Sequence, residues 1–246
     1  MPVHAHDLHA AATAIVDSAR SGTSLSGHLC NAYVLALASK HRPYRALLAR
    51  GDLNLADGAP VAWCTSRAGL DARARRSGAE LVEEVVRQGV AHGVRHYLYG
   101  SSEEVLQALA DQLRARHPGL KIVGIHAPPF EPVTSEQVDE LVASLTSSDA
   151  QILWIGLGTP KQDQLVERLS GRFNGACVPV GAAFDFIAGS VPRAPQWMRR
   201  VGLEWTHRLI AEPRRLWRRY LWGNTRFLWA LAVSGHVLPR ASDDSA

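Results

Sequence analysis

The chain is poor in the residues that build covalent or metal-linked scaffolds. It has 3 cysteines, Cys30, Cys64 and Cys177, with no CxxC pair and no histidine at finger-like spacing. Neither a disulfide framework nor a structural zinc site is expected, and a reducing compartment fits. No run approaches the roughly 18 apolar residues of a membrane span; the longest, from Phe227 to Leu238, falls short. The start of the chain carries no basic region followed by an apolar stretch, so no secretory signal is expected. Also absent are an Asp-x-Asp pair, a full GxGxxG and a GxxxxGK(S/T), which disfavours ATP hydrolysis of the P-loop type.

What is present is ordinary globular material: 46% hydrophobic and 20% charged residues over 246 positions, enough for a sizeable core. The charge is uneven. The formal net is +4, yet residues 193–240 hold ten Arg and two Glu, so the remainder of the chain carries −4. Five of the seven tryptophans (Trp197, Trp205, Trp217, Trp222 and Trp229) fall in that same segment, which points to anions, an interface, or both.

From about residue 28 to 190 short apolar runs alternate with amphipathic stretches, the pattern of β and α units around a largely parallel sheet. His96–Tyr99, Ile122–Ile125, Ile152–Ile155 and Ala176–Val180 read as strands. Ser101 with Glu104, and Thr134 with Gln137, form capping-box patterns ahead of helical periodicity. Tyr99-Gly100-Ser101-Ser102 and Ile155-Gly156-Leu157-Gly158-Thr159-Pro160 each follow a strand and open a helix. Their glycines either admit a phosphate to free N–H groups or simply make the turn. Residues 1–27, with His4, His6 and His9, read as a leader segment, helical or frayed, with a metal-binding arm as the alternative.

Asp57 falls where a short apolar run meets Gly58 and Pro60, at the C-terminal end of a strand. Such a carboxylate can take a proton from an attacking hydroxyl or cap the next helix, and position alone leaves both open. Arg73, Arg75 and Arg76 precede a helix start, either to meet an anion or to stay solvated. Lys161 and Gln162 stand at another helix start, and Asp185 is a lone acid among apolar neighbours.

In order along the chain stand Asn31; Ala56-Asp57-Gly58; Arg75 with Gly78; Tyr99-Gly100; Gly156 to Gln162; and Phe184-Asp185 with Gly189. Arg193-Ala194-Pro195-Gln196-Trp197 then runs to Gly202-Leu203-Glu204-Trp205 and Arg208-Leu209. In these blocks the sequence resembles the WecG/TagA/CpsF family of bacterial glycosyltransferases. The resemblance implies an inverting, metal-independent enzyme without cofactor, on a Rossmann-like α/β core with flanking helices and a basic helical C-terminal appendage. It would move a sugar, N-acetylmannosamine-type or a related hexose, from a UDP-sugar to a polyprenyl-diphosphate-linked saccharide in cell-surface or exopolysaccharide biosynthesis. On that reading Asp57 is the general base and Arg75 holds the diphosphate leaving group. Asn31 and Gln162 contact donor or acceptor, and Tyr99, Gly100, Gly158, Asp185, Arg193 and Arg214 complete the substrate site. Leu29 stands where the family usually has Thr, and Asp163 where it usually has Glu; Asp163 reads as a helix cap.

The expected organisation is a leader at 1–27, a catalytic core at 28–192, a basic Trp/Arg-rich appendage at 193–240 and a tail at 241–246. In the appendage Arg214, Arg215, Arg218 and Arg219 centre on one helix face, with Leu216, Trp217, Tyr220 and Leu221 nearly opposite. That is an ordinary packed helix or, given the resemblance, a membrane-surface anchor that also lids the site. The implied partners are a nucleotide-sugar donor, a polyprenyl-diphosphate-linked acceptor and the membrane surface, with no nucleic acid and homo-oligomerisation left open. The implied location is cytoplasmic, peripheral on the inner membrane face. The alternative function is a non-catalytic nucleotide- or nucleic-acid-binding protein on the same scaffold.

Overall fold

Parallel strands cannot be joined by a tight turn, so each needs a crossover, usually a helix. The computed structural model describes residues 3, 7–62, 77–129, 131–195, 197, 198, 204–211, 213, 214, 216, 217, 222, 223, 225 and 226. The first half runs α1 (Leu8–Ser21), β1 (Leu25–Cys30), α2 (Ala32–Lys40), α3 (Arg42–Ala49), β2 (Leu53–Ala56), α4 (Gly78–Val90) and β3 (Arg95–Gly100). It continues with α5 (Glu103–Arg116), β4 (Lys121–His126), α6 (Ser135–Ser147) and β5 (Ile152–Gly156). Last come α7 (Lys161–Leu169), β6 (Ala176–Pro179), α8 (Ala183–Ala188) and α9 (Glu204–Ala211). The six strands form one sheet in the order β2-β1-β6-β5-β3-β4, every pairing parallel. This is the largely parallel α/β sheet that the alternating pattern predicts and the Rossmann-like core that the resemblance implies.

Strand alternation divides the core between the two faces of the sheet. On β5, Ile152 and Trp154 join Ile15, Leu81, Leu106, Leu109 and Phe184, whereas Leu153 and Ile155 join Val138, Leu141 and Leu165. A third cluster, with Cys30, Val34, Leu48 and Ala56, lies where α2 and α3 meet β1 and β2. Both faces being covered, the central strands read as unbroken apolar runs rather than as alternating ones.

Residues 8–21, expected as part of a leader, belong to this core. Asp7 caps α1 through the Ala10 N–H at 2.7 Å, and Ala11, Ala12 and Ile15 are fully buried in the cluster shared with α4. His9 of that helix is a hydrogen-bond partner of Glu84 at 3.1 Å on α4; His4 and His6, the rest of the alternative metal-binding arm, lie outside the described residues. The sheet likewise begins at Leu25, three residues before the expected core.

The capping box of Thr134 and Gln137 is present at α6. At α5 the cap is Ser102, which accepts from the Val105 N–H at 3.4 Å, and not Ser101. The shift has a steric cause: Gly100, at φ 117°, lies so close to β5 that a Cβ there would sit 2.7 Å from the Gly156 carbonyl carbon. The chain leaves β3 through that glycine, and Ser101, at φ 57°, is turned away from the helix start.

His96 on β3 is 1% exposed. Its Nδ1 accepts from Trp154 Nε1 at 3.1 Å, the two rings lie stacked, and its Nε2 has no hydrogen-bond partner among the described residues. Burial holds this imidazole down near a pKa of about 3, against 6.5 ordinarily. The unfolded chain therefore takes up the proton first, so this contribution to stability is complete above about pH 6.5 and declines as pH falls toward about 3. Urea unfolding at stepped pH should show that decline, and His96→Gln, which keeps an acceptor for Trp154, should flatten it.

Candidate active site

In a parallel sheet all strand C-termini face one way, and the helices that follow point their N-terminal N–H groups into the same space. A cavity of about 630 Å³ opens there, over the ends of β1, β2, β3, β5 and β6. Asn31, Asp57, Gly158, Gln162 and Asp185, dispersed over 155 positions of sequence, all line it.

Asp57 directly follows β2, and its N–H donates to the Cys30 carbonyl at 3.1 Å, so the β1–β2 pairing carries it to the rim. Asn31 caps α2 with Oδ1, accepting the N–H groups of Tyr33 and Val34 at 3.1 Å each. Its Nδ2 donates to Asp57 Oδ2 at 3.4 Å. One side chain thus starts a helix with its oxygen and orients a carboxylate with its nitrogen. Also in the lining, Gln162 Oε1 accepts from the Gly158 N–H at 3.0 Å and fixes the loop before α7.

Behind Gln162 lies a buried polar group whose linkage the sequence reading missed. Asp163, 1% exposed, does not cap its helix. It takes a hydrogen bond from the Tyr44 hydroxyl at 2.8 Å and another with His28 Nδ1 at 2.8 Å. Burial, reinforced by the Asp163 charge, pushes the Tyr44 hydroxyl far above the usual phenol range, so it remains a donor; the Thr159 side chain hydrogen-bonds to it as well. Cys30, fully buried with Asp163 and Asp57 both close enough to act on it, has its thiol pushed far up and stays protonated. The available signal was His28, a titratable side chain next to the apolar Leu29 and Cys30 of one strand.

Among the described residues, Tyr99, Gly100, Arg193 and Arg214 do not line the cavity. The Tyr99 ring is 1% exposed and stacked on His126 at 5.5 Å, because strand alternation turns it into the core with Ile155; burial raises its hydroxyl to a pKa of about 12. Gly100 serves the close approach to β5, and it is Ser101 and Ser102 that reach the cavity. Arg193 Nη2 donates to Ser77 Oγ at 2.8 Å and to Glu80 Oε1 at 3.0 Å, clipping the chain after α8 to the start of α4. Arg214 is exposed and helical, away from the lining. Arg75 lies outside the described residues. The C-terminal segment instead contributes Glu204, Trp205 and Leu216 to the wall.

A sequence model of the glycosyl transferase WecG/TagA/CpsF family matches residues 1–240. The chain belongs to this family. Among its relatives is the N-acetylglucosaminyldiphosphoundecaprenol N-acetyl-beta-D-mannosaminyltransferase of Bacillus subtilis, 28% identical over 193 residues, which cover 78% of this chain and 73% of the relative. The WecG/TagA/CpsF protein is therefore a glycosyltransferase, and the reading as a non-catalytic binding protein falls away. In such an enzyme a carboxylate that lines the same cavity as the N-terminal turns of α4 and α7 can supply a proton acceptor alongside groups that attract an anion.

Tyr44→Phe tests the buried group. It removes one donor from a buried carboxylate, and chemical denaturation should show a loss of about 1.5–3 kcal/mol, the range for hydrogen bonds to charged groups.

Proposed function

We propose that this glycosyltransferase moves an N-acetylmannosamine-type hexose from a UDP-sugar to a polyprenyl-diphosphate-linked saccharide, with inversion and without a metal. The name of the Bacillus subtilis relative supports both the sugar and the lipid-linked acceptor. The observation that carries the mechanism is Asp57, a cavity-lining carboxylate held by Asn31 Nδ2. Asp57 takes the proton of the acceptor hydroxyl as that oxygen attacks the anomeric carbon of the donor and the bond to the nucleoside diphosphate breaks. A single displacement inverts the anomeric centre and needs one base. The departing diphosphate gathers negative charge that fixed positive groups must stabilise. The cavity offers the N-terminal turns of α4 and α7 at Gly78 and Gln162, and the sequence adds Arg75 two residues before Ser77.

The acceptor places the reaction at the cytoplasmic membrane face, in synthesis of a cell-envelope polysaccharide. The segment after residue 192 suits that surface: Trp197, Ile210 and Trp217 are 62%, 79% and 48% exposed, and Arg214 is exposed as well. Among the described residues no helix is long and apolar enough to cross a membrane, so attachment rests on such surface groups.

Purified enzyme with UDP-N-acetylmannosamine and a short-chain N-acetylglucosaminyl diphosphate lipid should release UDP only when acceptor is present, and should do so in excess EDTA. Asp57→Asn should lower kcat about 100- to 10,000-fold with an unchanged thermal melt; a fully active variant removes Asp57 from the base role. For the surface, Trp197→Ser combined with Trp217→Ser should weaken cosedimentation with anionic vesicles, and equal binding by variant and wild type contradicts attachment through those residues.

A further inference from the structure

Arg193, Glu204 and Trp205 are left over from this mechanism. Glu204 and Trp205 open α9 and both line the cavity. The Glu204 side chain is 21% exposed, and its Oε1 lies 3.9 Å from Arg193 Nε, which is buried and has no hydrogen-bond partner among the described residues. The same guanidinium is fixed from the other side by Ser77 and Glu80, the two members of the capping box that starts α4. Glu204 is therefore oriented from a core helix.

We propose that Glu204 and Trp205 form a pyranose subsite, with Glu204 accepting hydrogen bonds from sugar hydroxyls and the Trp205 indole covering an apolar face of the ring. The chemistry separates a sugar from a phosphate. A carboxylate accepts from vicinal hydroxyls, and an aromatic face matches the C–H side of a pyranose. A diphosphate at this position would meet the carboxylates of Glu80 and Glu204 around one guanidinium already engaged by protein oxygens. Arg193 acts here as a positioning residue. The subsite rests on reading the cavity as the transfer site, and its pyranose is either that of the donor or the terminal sugar of the acceptor.

Saturation-transfer NMR with free N-acetylmannosamine and free N-acetylglucosamine tests the subsite without turnover. Wild-type protein should saturate the ring protons of at least one of them, and Glu204→Gln and Trp205→Leu should each abolish the signal while melting like wild type. No signal with wild type, or a signal retained in both variants, overturns the proposal. In the transfer assay Glu204→Gln should raise one KM about 10- to 100-fold, with inhibition by free UDP within about twofold of wild type. A rise in donor KM assigns the donor sugar and a rise in acceptor KM the acceptor sugar. Both KM values unchanged, or UDP inhibition lost in parallel, sinks the subsite alone. Absence of wild-type turnover with any donor counts against the proposed function, and the monosaccharide signal then decides the subsite.

Discussion

A carboxylate taken out of water costs several kcal/mol unless fixed donors replace the lost hydration. Asp163 is where this chain meets that requirement. Its oxygens are satisfied by Tyr44 from α3 and His28 from β1, so three elements distant in sequence have one admissible arrangement around it. The residues beside those three are the ones that matter for the cavity. Leu29 and Asn31 follow His28, Gln162 precedes Asp163, and Thr159 bonds Tyr44. A polar group outside the cavity lining thus helps set the spacing between Asp57 and the loop before α7.

The cavity wall comes from two sources with different physical character. Most of it belongs to strand ends and helix starts of the sheet, held by the core clusters on both faces. The remainder, Glu204, Trp205 and Leu216, belongs to a segment that also exposes Trp197, Ile210 and Trp217. Leu216 is 2% exposed and the next residue, Trp217, 48%, so adjacent side chains of one helical stretch serve the interior and the surface. The sequence pattern groups them on one face, because both are large and apolar; the structure separates them by about the 100° that one helical step imposes.

The fold was largely legible in the sequence because period and punctuation are local. β3, β4, β5 and β6 and the Thr134 capping box stand where apolar runs and cap residues put them. Asp57 was legible for the same reason, as the residue after a strand. What the sequence reading missed was non-local. Whether Ser101 or Ser102 caps α5 depends on how close β3 and β5 approach at Gly100 and Gly156. Whether Arg193 meets a ligand or a carboxylate depends on α4, more than a hundred residues earlier. Asp163 fits a helix-start pattern, yet burial against His28 and Tyr44 gives it another task. Residues 8–21 lacked a strong signal because alanines bury well while contributing little hydrophobic contrast, and Ala11 and Ala12 pack fully against α4.

The strand order also has a temporal side. β1 sits in the interior of the sheet, between β2 and β6, and its bond to β6 joins Leu25 and Ser26 to Ala176 and Cys177. During synthesis at about 5–20 residues per second, roughly 8–30 s separate the emergence of these partners. Through that interval β1 has one unsatisfied edge and an apolar face that only later elements cover. The nascent N-terminal third is thus the stretch most open to wrong pairing, and closure of the sheet waits on a strand near the start of the chain's last third. High sequence separation at the centre of the sheet makes folding slow relative to an all-local topology, and ties the yield of active enzyme to how well β1 is shielded until β6 arrives.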